Sequence, residues 1–252
     1  MLTDCLIDGN LRDGVSIGNT RGPYTVRGNR ITGNGRFGYH HQDLGEGNRA
    51  VAEEIVIESN DIWGNSLDGI RSDRPVRDTV IINNRLRNNG RQCAPAVEGG
   101  GESVRYTENT LVDQHAGWPE DGHRGKVLRV DGRFAVVASN DETTLVLAPN
   151  RPGIDSVWSA DIPTPGTPYE LPAAPDDRAG LTLNASCDSV TIRGNLIRDS
   201  GSGTQTAGIW ITERGSCLNC RVVENDLDGN RVAIRADTSA VGGHWANNHG
   251  DQ

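Results

Sequence analysis

A histidine and an arginine at corresponding places in two similar segments are the residues of this sequence best suited to acid–base chemistry. His40 lies two residues after the glycine of GYHHQD, and Arg71 lies two residues after the glycine of GIRSD. A β-elimination or a sugar epimerisation needs a base that removes a proton next to a carboxylate and a cation that stabilises the resulting charge. His40 as the base beside Arg71 as the stabiliser would meet both needs.

Alignment of the equivalent segments extends this pair into two columns of side chains that we expect to line a groove. The columns are His40, Arg71, Trp210 and Arg235, and then, two residues further on, Gln42, Asp73, Thr212 and Asp237, with Glu213 at the margin. The sequence predicts catalytic roles for most ionisable members of the columns and substrate-binding roles for three other residues. One of these three is His115, which we expect at the root of the inserted segment together with Asp121 and His123. The catalytic candidates are His40, Arg71, Asp73, Arg235 and Asp237, and the substrate-binding candidates are Trp210, Glu213 and His115.

A structural reading of the same residues remains open beside the functional one. Outward charges on stacked strands often pair with their neighbours, and the series Asp8, Arg27, Glu58 alternates in sign as such pairing favours. Trp210 lies between two isoleucines that should point inward, so its indole should point outward. An exposed indole offers a platform for sugar rings, but the inserted segment or another subunit could equally cover it.

The elements that must position these residues are short strands that recur along the chain. Segments such as YTVRGNRITGNG, IVIESNDIWGNS, TVIINNRLRNNG, VRYTENTLVDQH and VTIRGNLIRDSG carry mostly apolar residues five and three positions before an asparagine. This alternation of period two is typical of a strand and is inconsistent with a helical face. Repeats at intervals of roughly 20 to 50 residues are typical of solenoids, in which each coil buries its faces against its neighbours.

The asparagines themselves predict a ladder at one corner of the solenoid. Asparagine tolerates left-handed backbone angles, and its side chain can hydrogen-bond to the main chain. In coils stacked about 4.8 Å apart, such side chains can also bond to one another. The predicted ladder consists of Asn10, Asn29, Asn60, Asn84, Asn109, Asn195 and Asn225.

These repeats resemble those of right-handed parallel β-helix proteins of the pectate lyase-like superfamily, over residues 1–112 and 180–240. The resemblance implies an all-β fold, a right-handed parallel β-helix of about seven coils. That fold hosts lyases, hydrolases, epimerases, phage tailspikes and proteins without known chemistry. The sequence lacks the DPHE motif of alginate epimerases, the paired aspartates and GHG set of polygalacturonases, and the arginine set of pectate lyases.

One interval between successive asparagines, that of 86 residues from Asn109 to Asn195, predicts an insertion. The segment GKVLRVDGRFAVVASNDETTLVLAP alternates apolar residues between turn signals, which predicts a small antiparallel β subdomain. The predicted organisation is N-terminal β-helix coils at 1–114, the inserted subdomain at 115–178, and C-terminal coils at 179–252.

Two cysteines occupy the same place in consecutive repeats. Cys187 and Cys217 each lie eight residues before their asparagine, so they should stack in adjacent coils within reach of a disulfide. The bond would require an oxidising compartment. No spacing in the sequence predicts a metal site, and none identifies a cofactor.

Composition narrows the partners. A net charge of −9 and a pI near 5.1 argue against a nucleic acid, which needs a basic stripe. No run of about 18 apolar residues is present, so we expect no membrane partner. The first residues lack the features of a signal peptide and resemble the inside of a repeat, which suggests that the first coil, like the insertion, could mediate homo-oligomer formation.

The leading prediction is an extracellular or cell-surface protein that acts on a polysaccharide or oligosaccharide along the groove, by lyase, epimerase or hydrolase chemistry. The alternative is a non-catalytic adhesion, structural or phage-tail-like module, for which the β-helix is a scaffold. The mixed charge of the columns favours the first hypothesis, and the missing catalytic motifs favour the second.

Overall fold

The computed structural model describes residues 1–18, 20–43, 51–90, 96–148, 157–158, 161–172, 178–200, 204–237 and 241–250. Two compact units make up the chain: Met1–Arg91 with Asp177–Gln252, and Gln92–Asp176. The regular structure of the described residues is β-strand throughout. These residues include no helix that is long and apolar enough to cross a membrane.

The strands of the first unit that precede the second are short. They are β1 (Leu2–Thr3), β2 (Leu6–Asp8), β3 (Val15–Ile17), β4 (Tyr24–Arg27), β5 (Arg30–Thr32), β6 (Tyr39–His41), β7 (Ala52–Glu53), β8 (Ile55–Glu58), β9 (Asp61–Trp63), β10 (Ile70–Ser72), β11 (Val76–Arg77), β12 (Val80–Ile82) and β13 (Arg85–Arg87).

The second unit contributes seven strands within its described part, and the chain then returns to the first unit. The second unit contains β14 (Val97–Gly99), β15 (Val104–Tyr106), β16 (Thr110–Asp113), β17 (Val127–Val130), β18 (Arg133–Asn140), β19 (Thr144–Ala148) and β20 (Tyr169–Leu171). The returning strands are β21 (Ala179–Leu183), β22 (Ser186–Asp188), β23 (Thr191–Arg193), β24 (Leu196–Arg198), β25 (Ala207–Ile211), β26 (Ser216–Val223), β27 (Val232–Ala236) and β28 (Val241–Ala246).

Three parallel sheets form the first unit and confirm the predicted β-helix of about seven coils. The first sheet has the order β1-β4-β8-β12-β23-β26-β22-β11-β7, with β28 also on β26; the second is β2-β5-β9-β13-β24, and the third is β27-β25-β21-β10-β6-β3. Equivalent apolar residues of neighbouring coils stack in register within each sheet: Ile57 pairs with Val26 and Ile81, and Ile62 pairs with Ile31 and Leu86. All six are buried in one continuous core.

A buried asparagine ladder joins the first sheet to the second. Each Nδ2 donates to the Oδ1 of the next asparagine over 2.9–3.0 Å, through Asn29, Asn60, Asn84, Asn195, Asn225 and Asn248. Asn10 belongs instead to a second ladder with Asn34, Asn65 and Asn89. Asn109 lies in the second unit and is exposed, so its predicted place in the first ladder is wrong.

The backbone of the first ladder differs from the expectation that asparagine takes the left-handed conformation. The residue before each ladder asparagine has the positive φ, as at Ser59 (56°), Asn83 (55°) and Gly194 (63°). The ladder asparagines therefore serve through hydrogen bonds: Asn84 Oδ1 accepts from both the backbone N–H and the Nδ2 of Asn60.

A glycine precedes several strands of the third sheet because neighbouring coils approach closely there. A Cβ placed on Gly38 would lie 2.7 Å from the carbonyl oxygen of Gly69, and one on Gly69 would lie 2.7 Å from that of Gly180. Such distances exclude any side chain. This close approach explains the glycine that begins GYHHQD and GIRSD.

The second unit is one antiparallel sheet with the strand order β14-β20-β17-β18-β19-β16-β15 and its own apolar core. The segment VRYTENTLVDQH, predicted to be a coil, forms the hairpin β15–β16, and β16 pairs antiparallel with β19. The unit therefore begins at Gln92, before the predicted boundary at 115, and ends at Asp176, close to the predicted 178. Alternation alone could not reveal this, because a coil strand and a hairpin strand share the same period.

The predicted disulfide between Cys187 and Cys217 can be compared with the structure. Cys187 and Cys217 are Cα partners in adjacent parallel strands and are buried as free thiols, so the predicted disulfide is not formed in this structure. The hydrogen bond that the Cys217 thiol donates to Cys187 raises the pKa of Cys217 to about 12. Since a thiolate is the reactive form, we expect oxidation before the core closes rather than after it.

Refolding in a glutathione redox buffer should therefore remove two of the five thiols, as counted by titration in denaturant. Adding the oxidised buffer to folded protein should leave Cys187 and Cys217 as free thiols over the same time. The Cys187→Ser variant is the control, and its four thiols should survive refolding. Five thiols in the refolded unmodified protein would exclude the bond.

Candidate functional site

The third sheet brings the predicted first column into one row. His40 pairs with Arg71, Arg71 with Thr182, Thr182 with Trp210, and Trp210 with Arg235. Thr182 was missed by the sequence alignment because its coil is the one that the second unit interrupts. Arg71 and Trp210 thus lie two strand spacings apart, about 10 Å.

His40 is buried and held between two carboxylates. Its Nδ1 lies 3.0 Å from Asp13 Oδ2, and its Nε2 lies 2.8 Å from Asp73 Oδ2. Burial alone would lower the pKa of His40, but the hydrogen bonds to Asp13 and Asp73 outweigh burial and raise it. Because both nitrogens face carboxylates, the site favours an imidazolium that donates twice, and in that form no nitrogen is left to accept a proton from a substrate.

Asp73 is the centre of the same group of contacts. Its Oδ1 accepts from Arg71 Nε at 2.8 Å and from Asn184 Nδ2 at 2.7 Å, and Thr212 Oγ1 donates to Asn184 Oδ1 at 2.6 Å. Burial would raise the pKa of Asp73, but the hydrogen bond from His40 and the charge of Arg71 lower it to about 2. Asp73 is therefore an ionised acceptor at any ordinary pH.

Two aspartates and an arginine that the sequence analysis did not select complete this group. Asp68 Oδ2 accepts from Arg71, and Asp13 lies 3.4 Å from Arg36. We use the term His40 network for the six residues, which are three acidic and three basic side chains. They are Asp13, Arg36, His40, Asp68, Arg71 and Asp73. The repeated Asp–Gly pairs at 13–14 and 68–69, each just before a strand of the third sheet, were the signal that could have revealed the aspartates.

Trp210, Arg235 and Asp237 form a second group at the other end of the row. Trp210 Nε1 donates to Asp237 Oδ2 at 2.7 Å, and Arg235 Nε donates to Asp237 Oδ1 at 2.9 Å. The Arg235 guanidinium lies 4.8 Å from the centre of the indole, within the range of a cation–π contact. The indole is half-buried, and its contacts with Asp237 and Arg235 fix its orientation.

Two other predicted substrate-binding residues lie outside both groups. Glu213 is exposed two residues after the end of β25, and His115 is exposed in the second unit, where its backbone N–H donates to Asp113. Their roles stay predictions. The described residues contain no cluster of three or more His, Cys, Asp or Glu side chains that could hold a metal ion.

A family model described as "Right handed beta helix region" matches residues 1–126, which is half of the chain. The chain therefore belongs to the right-handed β-helix family. No curated protein sequence matches it.

Solved structures that resemble this chain include a module of a mannuronan C-5 epimerase and a phage tailspike protein. One is the A-module of mannuronan C-5 epimerase AlgE4 from Azotobacter vinelandii, with a TM-score of 0.38 and 13% identity over 93% of this chain and 50% of that one. The other is the tailspike protein gp49 from Pseudomonas phage LKA1, with a TM-score of 0.21 and 10% identity over 90% of this chain and 40% of that one. The chain spans half or less of the length of these structures, and likeness at this level says nothing about activity.

Proposed function

We propose that this β-helix protein binds a polysaccharide or oligosaccharide along the outward side of the third sheet, with Trp210 as the platform. The observation that carries the proposal is the indole of Trp210, half-buried and oriented by Asp237 and Arg235. An aromatic ring held in place stacks on the apolar face of a sugar with little loss of conformational entropy. Asp237 and Arg235 stand beside it to bond hydroxyl or carboxylate groups.

Lyase, epimerase or hydrolase chemistry at the His40 network is the second candidate. It is supported by the adjacency of His40, Arg71 and Asp73 on the same sheet, with the Asp73 side chain 22% exposed. Geometry favours binding over catalysis, because a base must be free to accept a proton and every acid–base group of the network already bonds to another. Catalysis would require substrate to displace Asp73 from His40.

The non-catalytic alternative, an adhesion or phage-tail-like module, predicts self-association instead of turnover. Sedimentation of the whole chain distinguishes it, since a monomer at micromolar concentration would count against an assembly role.

A polysaccharide ligand would be met outside the cell or at its surface, and we propose that location for the protein.

Trp210→Ala should weaken binding of the sugar by at least about tenfold, because the stacking platform is lost. The ligand is first found by screening the unmodified protein on neutral and uronic-acid polysaccharides, with unsaturated uronides and reducing ends recorded as products. Affinity is then measured by titration for the protein and its variant.

The matched control is Trp63→Ala. Trp63 is also a half-buried tryptophan with guanidinium groups near its ring, those of Arg30 and Arg87 at 5.3 and 5.4 Å from the centre, but it lies in β9 of the second sheet, outside the proposed binding surface. This control should bind as the unmodified protein does. Equal affinity of Trp210→Ala and the unmodified protein would refute the platform, and unsaturated product would move the proposal to lyase chemistry.

A further inference from the structure

A pocket of about 600 Å³ lies wholly within the second unit, on one face of its antiparallel sheet. This volume falls in the range of small-molecule sites, roughly 300–1,000 Å³. The pocket is lined by Glu98, Gly99, Arg129, Asp131, Gly132, Phe134, Pro168, Tyr169 and Glu170. None of these residues belongs to the β-helix site.

Four of the lining residues form a row across four neighbouring strands. Glu98 of β14 faces Glu170 of β20, Glu170 faces Arg129 of β17, and Arg129 faces Phe134 of β18. Side chains opposite one another on adjacent strands lie about 4.5–5.5 Å apart at Cβ. The row therefore presents two carboxylates, a guanidinium and an aromatic ring to the same solvent-filled space.

The charges of this row do not cancel. Like charges directly opposite on paired strands are destabilising. Arg129 lies 3.7 Å from Glu170, and Asp131 of the pocket rim is bridged by Arg133 at 2.8 Å. Once these two ion pairs are counted, one carboxylate of the Glu98–Glu170 pair remains without a cation among the described contacts.

The apolar part of the pocket stands at the other end of the row. Phe134 is 39% exposed. Position 99 requires glycine, because a Cβ there would lie 2.4 Å from the ring of Tyr169. The pocket lining therefore carries no side chain at this position. Phe134 lies three strand spacings, about 14 Å, from Glu98, so a ligand of several linked rings could place one ring on Phe134 and the polar groups of another at the carboxylates.

We propose that this pocket is a second carbohydrate site that takes an oligosaccharide of amino sugars. A protonated amine of one sugar would offset the unpaired carboxylate of Glu98 and Glu170, hydroxyl groups would bond to the remaining carboxylate oxygens and to Arg129, and the apolar face of another sugar of the same chain would rest on Phe134. A neutral or acidic sugar would leave the excess negative charge in place.

Isothermal titration of the full chain with a β-1,4-linked tetramer of glucosamine tests the proposal, with the N-acetylated tetramer and tetralysine as comparison ligands. The glucosamine tetramer should bind at least about tenfold more tightly than either, because it alone combines the amine with the ring. Equal binding of both sugars would refute the role of the amine. Equal binding of tetralysine would show that the pocket reads charge alone, and the absence of glucosamine binding would refute the site.

Variants locate the binding. Glu98→Gln and Phe134→Ala should each weaken the glucosamine tetramer by about tenfold or more, since each removes one of its two anchors. Glu108→Gln, an exposed glutamate of the same unit outside the pocket, should bind normally. Glu98 is exposed, so its variant should keep the melting temperature of the unmodified protein; unchanged affinity in that variant would overturn the assignment.

Discussion

Asn84→Ala is expected to lower the free energy of unfolding by about 3–5 kcal/mol, since it leaves several buried polar groups without partners. Asn84 Oδ1 accepts from the backbone and side chain of Asn60, and Asn84 Nδ2 donates to Ile57 O at 2.9 Å and to Asn195 Oδ1 at 3.0 Å. Alanine makes none of these bonds. The buried N–H of Asn60 then has no hydrogen-bond acceptor, because no water reaches it to replace the lost side-chain oxygen.

Asn109→Ala is the matched control for this prediction. Asn109 follows the same strand pattern in the sequence, but it is exposed in the hairpin β15–β16. Its replacement should change the free energy of unfolding by no more than about 0.5 kcal/mol. Denaturant titration followed by circular dichroism measures both variants, and hydrogen exchange of the Asn60 amide locates the loss. An equal, small effect of the two changes would contradict the structural role of the ladder.

His40→Leu is expected to destabilise the protein by about 3–5 kcal/mol at pH 6, because it leaves buried carboxylates without their shared cation. The side chain of Asp13 is 6% exposed and that of Asp73 is 22% exposed. Leucine fills much of the space of the imidazole, so lost charge and hydrogen bonds dominate the effect. His244→Leu, at an exposed histidine of a parallel strand, is the control and should be nearly neutral.

The pH dependence separates the two neighbouring histidines. His40 has a raised pKa, so its stabilisation is fully present below the unfolded value near 6.5 and is lost as the pH rises through the folded value. The difference in free energy of unfolding between the unmodified protein and His40→Leu should therefore become smaller toward alkaline pH. A gap that widens instead would contradict the imidazolium.

His41 has the opposite behaviour. Burial, followed by the charge of Arg74, lowers its pKa to about 4, so its contribution is present above pH 6.5 and is lost as the pH falls toward 4. Nitrogen-15 chemical shifts of the two rings can check both assignments in one sample. At pH 6, His40 should show two protonated nitrogens and His41 should be neutral.

The repeating strand of the β-helix could be predicted from sequence because the two requirements of a coil are local. Apolar residues at alternate positions bury one side of a strand, and an asparagine at the corner bonds to the equivalent asparagine of the next coil. Ile57, Ile81 and Ile192 lie where this pattern predicts. The row of His40, Arg71, Trp210 and Arg235 follows from the same periodicity.

Only the tertiary structure could decide which strand pairs with which, and what surrounds each side chain. Residues 104–113 have the alternation of a coil, yet they pair antiparallel within the second unit, and the ladder passes from Asn84 to Asn195 across 111 residues. Likewise, a histidine beside an arginine suggests a base, whereas Asp13 and Asp73 occupy both of its nitrogens. Alternation specifies which face of a strand is buried, but partners distant in sequence determine charge, protonation and access.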